Sequence, residues 1–88
     1  MVEKSQMVFC PDNYNDNNEK MWIDIGKFLQ MLMKNNNICT VKQEDFGIIV
    51  IDYAHDDSIK PSYDVSQPIW LSPDEIDNFA SYRFEKDN

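Results

Sequence analysis

The sequence predicts a small α+β domain, with two helices packed on a short, mainly antiparallel sheet in the order β-α-β-β-β-α. Three observations lead there. Met21, Trp22, Ile25, Phe28, Leu29 and Leu32 recur at three- and four-residue steps, which lines them along one helical face. Two β-branched runs, Ile38-Cys39-Thr40-Val41-Lys42 and Gly47-Ile48-Ile49-Val50-Ile51-Asp52-Tyr53, stand either side of a short polar turn. Ser72-Pro73-Asp74-Glu75 is a helix-start signature, with a hydroxyl cap, a proline where no N–H is needed and a carboxylate able to bond back.

Gln6-Met7-Val8-Phe9-Cys10 is the first expected strand, stopped by Pro11, which cannot donate to a ladder. Asp12 to Asn18 is a polar loop whose Asn and Asp side chains bond nearby backbone. The first helix is expected over about residues 18–35, capped by Asp16 with Asn17 and Asn18 competing. Lys34 suits its negative end, and the run Asn35-Asn36-Asn37 can take the left-handed conformation that ends helices. Met31 and Met33 widen the apolar surface, so this helix is expected to touch more than one neighbour.

Glu44-Asp45-Phe46-Gly47 reads as a hairpin turn with Gly47 free to adopt positive φ. The unbroken run Ile48-Ile49-Val50-Ile51 marks a strand buried on both faces. Residues 55–68 read as an irregular loop, followed by a short edge strand at Pro68-Ile69-Trp70-Leu71 and a second helix from Ser72 to about Phe84. Gly26 sits mid-helix, where it costs about 1 kcal/mol relative to alanine. A close helix–strand contact there would explain it.

One domain over residues 1–88 is expected, with 1–5 and 85–88 frayed. A core of this size leaves little room for an enclosed active site. No apolar stretch is long enough for a signal peptide or a membrane span. Cys10 and Cys39 form no C-x-x-C pair and read as reduced thiols, which points to the cytoplasm. The asparagine bias fits coding by an AT-rich genome, that of a low-GC bacterium or one of its mobile elements.

Sixteen carboxylates against eight Lys or Arg give a net charge of −8. The excess lies late in the chain: residues 35–88 carry eleven acids and four bases, net −7, and residues 1–34 carry five and four, net −1. Such a field repels phosphate, so direct binding to nucleic acid or anionic membrane is disfavoured. It keeps a small domain dispersed, and it would also suit a basic partner.

Candidate chemistry is sparse. Asp52, His55, Asp56 and Asp57 form the densest set of metal-ligating types, but alternation along a strand puts Asp52 and Asp56 on one face and His55 and Asp57 on the other. A solvated strand exit accounts for them equally well. Cys10, Cys39 and His55 lack the spacing of a zinc site. No phosphate loop, no nucleophile–base signature and no cofactor motif occurs, so no cofactor is implied.

The expected function is that of a non-catalytic interaction or accessory protein, acting on a protein partner or by self-association. The alternatives are an acidic antagonist that mimics nucleic acid and a small divalent-metal module built on the Asp52–Asp57 cluster. If the first helix covers one face of the third strand, the other must be covered by the second helix or by another molecule. Because that second helix is short, an incompletely covered face would leave an apolar patch for a partner. Ile49, Ile51 and Tyr53 are the contact candidates on that strand, with Val50 taking their place should the helix cover the opposite set. Tyr63 and Tyr82, flanked by polar residues, are the remaining candidates.

Overall fold

A computed structural model describes residues 4–58 together with Ser66, Ile69, Leu71 and Asp74. Among the described residues the fold is α+β: one long helix lies on a three-stranded antiparallel sheet. Strand β1 (Ser5–Phe9) leads through a short 3-10 turn (Pro11–Tyr14) into helix α1 (Asn18–Lys34). Strand β2 (Asn37–Gln43), a tight 3-10 turn (Asp45–Gly47) and strand β3 (Ile49–His55) follow. The expected edge strand at Pro68–Leu71 and the second helix from Ser72 lie outside the described residues, apart from Ile69, Leu71 and Asp74.

The strand order is β1-β3-β2, with β3 antiparallel to both neighbours. β1 and β2 therefore run parallel, and α1 is the crossover that lets a parallel pair form. The gap between them is filled by β3, returning through the hairpin. This central place explains the aliphatic run in β3: it has a partner on each edge and α1 across one face.

Register decides which side chains meet the helix. Ile49 pairs with Phe9 and Gln43, Ile51 with Met7 and Val41, and Tyr53 with Ser5 and Cys39. These odd-numbered positions share a face because alternate residues of a strand point the same way. Ile49 and Ile51 are 0% exposed, and Phe9, Cys39 and Val41 join them beneath Met21, Ile25, Leu29, Leu32 and Met33 of α1. Phe28 bridges the layers, its ring edge-on to Phe9 at 5.9 Å and to Tyr53 at 5.3 Å. Burial is fuller on the helix side: on the other face of β3 Ala54 alone is buried. Val50 and Asp52 are half-buried, so the both-faces expectation holds fully on the helix side of β3 and only in part on the other.

The helix ends follow local chemistry. Asn17, not Asp16, is the N-cap, its side chain accepting from the Lys20 N–H at 3.2 Å. Asp16 is taken up in the preceding turn at φ 65°, where its N–H donates to the Pro11 carbonyl. At the other end Asn36 adopts φ 56°, the left-handed stop expected of the asparagine run. Met33 is buried while Met31 is exposed, so the second apolar stripe is only partly used.

Gly26 is buried, and a side chain placed on it would run into the backbone carbonyl of Ile69. The close approach expected at Gly26 is therefore made not by a strand but by the backbone at Ile69, which belongs to none. Ile69 and Leu71 both pack against the core.

Candidate functional site

The most distinctive surface feature is the tip of the β2–β3 hairpin. The last paired residues are Gln43 and Ile49, leaving Glu44 to Ile48 as the loop. Its neck is closed by the Glu44 N–H donating to the Ile48 carbonyl at 2.7 Å. Turning the chain in so few residues forces two successive left-handed positions, Phe46 at φ 64° and Gly47 at φ 75°. Glycine tolerates that conformation, whereas a bulky side chain there is an outlier. Phe46 is also 92% exposed. An aromatic ring is thus held out in water on a backbone that disfavours it.

The neighbouring turn buttresses the tip. A Cβ on Gly47 would lie 3.4 Å from Cγ of Pro11, which brings the Pro11–Tyr14 turn alongside. That turn is tied to α1 by the Tyr14 hydroxyl, which donates to Asp24 Oδ2 at 2.9 Å. Three exposed carboxylates are neighbours along the chain: Glu44 and Asp45 immediately precede Phe46, and Asp12 follows Pro11 in the adjoining turn, with exposed Lys42 two residues before Glu44.

Burial, then the hydrogen bond to Asp24 and its negative charge, raise the Tyr14 phenol above its ordinary value of 10.0. Raised in the folded state, the neutral phenol adds stability that is complete below pH ~10 and lost as pH climbs through the folded value. Tyr14→Phe should cost about 0.5–1.5 kcal/mol at neutral pH, the usual worth of one hydrogen bond. The loss should shrink above pH ~10, where the phenol of the unfolded chain ionises and the stability of the neutral folded phenol is given up. Urea midpoints at the two pH values check this.

The sheet face turned away from α1 carries Val8, Val50 and Lys42 in one row, with Gln6, Asp52 and Thr40 in the next. Val8 is 47% exposed and Val50 half-buried. Toward the far end a cavity of about 200 Å³ is lined by residues that include Lys4, Ile38, Thr40, Asp52 and Ala54. It is smaller than the roughly 300 Å³ at which pockets for small organic ligands begin.

The contact candidates separate accordingly. Ile49 and Ile51 are sealed under α1 and offer no surface; Val50 holds the open position on β3. Tyr53 is half-buried, its ring engaged by Phe28. Tyr63 and Tyr82 lie outside the described residues. The metal candidates do not converge. Asp52 accepts from Gln6 Nε2 at 2.9 Å on the open sheet face. His55 Nε2 and Asp57 Oδ1 pair at 2.7 Å in solvent. Asp56 instead accepts from the backbone and hydroxyl of Ser58 at 3.0 and 2.6 Å. Among the described residues no group of three or more His, Cys, Asp or Glu is placed to hold a metal ion. No helix among them is long and apolar enough to cross a membrane.

Phe46 was not among the sequence candidates. The signal was present as an aromatic residue directly before the turn glycine, where Asn, Asp or Gly is the usual choice. No protein-family model matches the chain, and neither curated protein sequences nor solved structures show a match to it.

Proposed function

We propose that this chain is a non-catalytic, cytoplasmic protein-interaction module that presents Phe46 to a protein partner. The exposed ring on left-handed backbone carries the reading. Burying a phenylalanine is worth roughly 1.5–3 kcal/mol, and the isolated chain leaves nearly all of it unused. Left-handed backbone costs a non-glycine residue roughly 1–2 kcal/mol more. A complex that covers the ring recovers the first; the second is the same in the free and bound chain and marks a position held by the surrounding structure at a stability cost. The loop is closed by its own hydrogen bonds, so docking orders little extra chain.

Phe46→Asn separates contact from folding. Asparagine tolerates positive φ, so the variant should be as stable as the wild type or more so, by up to about 1 kcal/mol in urea unfolding. The same variant should lose a partner that wild-type bait retains from extracts of the source organism. Identical sets of retained proteins would reject the proposal. So would a marked fall in stability, which would make Phe46 a structural residue.

A further inference from the structure

We infer that the partner is a basic protein whose apolar socket, rimmed by Lys or Arg, receives Phe46; this rests on the proposed role of Phe46 as the contact. The ring does not stand alone. Glu44 and Asp45 immediately precede it and Asp12 lies in the buttressing turn, all exposed, on a chain of net charge −8. Whatever covers the ring must come close to these carboxylates. Like charges brought together there would be repelled, while opposite charges would speed encounter and set orientation.

That electrostatic condition narrows the classes of occupant. An anionic bilayer could take an apolar tip, but it recruits tips flanked by Lys or Arg, and here the flanks are acidic. Nucleic acid could stack on the ring, but its phosphates need basic groups beside the stacking residue. A second copy would bring the same excess of eight negative charges to the contact. A basic protein meets both demands. The aromatic would be the anchor, desolvated at the centre of the contact, and the carboxylates its polar rim.

The test places the photo-reactive residue p-benzoylphenylalanine at position 46 of the full chain in cells of the source organism, with the same probe at exposed Lys27 on α1 as control. The expected result is one adduct specific to position 46, formed with a protein carrying a basic surface. That protein is then purified and its affinity measured. Phe46→Asn should weaken binding at least about 30-fold at every salt concentration. Glu44→Gln with Asp45→Asn should weaken it about 10-fold at low salt, mainly through slower association, with the effect fading as salt screens the charges. Binding indifferent to salt and to the charge variants would overturn the inference yet leave Phe46 as the contact. An adduct with a second copy of this chain would do the same. No adduct above the Lys27 control, or undiminished affinity of Phe46→Asn, would overturn both.

Discussion

Ile49→Asp should abolish the cooperative unfolding transition, while Val50→Asp, one residue along the same strand, should still fold. Ile49 is wholly buried between Phe9 and the apolar face of α1. Removing its side chain alone costs about 2–5 kcal/mol in a packed core. A carboxylate in its place must be desolvated without a partner or take up a proton, which adds several kcal/mol. A domain of this length has roughly 4–13 kcal/mol of total stability, so the change consumes most or all of it. Val50 faces away from α1, between Val8 and Lys42, and is half-buried. A carboxylate there can reach solvent and has a lysine across the strand, so the expected cost is about 1 kcal/mol. Circular dichroism with urea titration of both variants checks the contrast. Comparable stability of the two would mean that the helix does not cover the odd-numbered face.

The second large effect is expected at Gly26, with a sign opposite to its helix propensity. In an exposed helix, Gly→Ala gains about 1 kcal/mol. Here the added methyl group would strike the Ile69 backbone carbonyl, and backbone cannot swing aside as the end of a side chain can. Ile69 must move away from the core, and Leu71, packed on the same cluster, is pulled with it. Gly26→Ala should therefore destabilise by about 1–3 kcal/mol despite the better helix former, and Gly26→Val by more. Comparing urea midpoints with Lys27→Ala, an exposed neighbour on the same helix, isolates the collision from propensity. A stabilised Gly26→Ala would show that the Ile69 backbone does not lie against the helix.

The contact between His55 and Asp57 lies at the other end of β3, and among the described residues Glu44 and Asp45 join no ion pair that would tie down the tip. Their charge is free to act outward. The −8 balance was visible in composition, but composition alone does not distinguish a dispersing charge from one gathered beside an aromatic ring.

Local chemistry determined helix α1, the two hairpin strands and the turn between them. Helical steps from Met21 to Leu32, β-branched runs either side of Glu44–Gly47, and positive φ at Asn36 and Gly47 are each settled within a few residues. Even the mid-helix glycine announced a close approach. The precise cap did not emerge, because Asp16, Asn17 and Asn18 are near-equal acceptors and only the path of the preceding turn selects Asn17.

Tertiary structure decided the rest. Four consecutive aliphatic residues, Ile48 to Ile51, carry no polar alternation, so nothing local says which pair turns to the helix; pairing with Phe9 and Val41 does. Phe46 falls in the expected turn, but the turn signature assigns its side chain no place; only the tight closure of the hairpin puts it in solvent on left-handed backbone. The four metal-ligating types, adjacent in sequence, are parted by strand alternation and by their own hydrogen bonds to Gln6 and Ser58 and between His55 and Asp57. Propensity and periodicity act over one or two turns of chain, whereas the identity of a covered face depends on contacts between residues tens of positions apart.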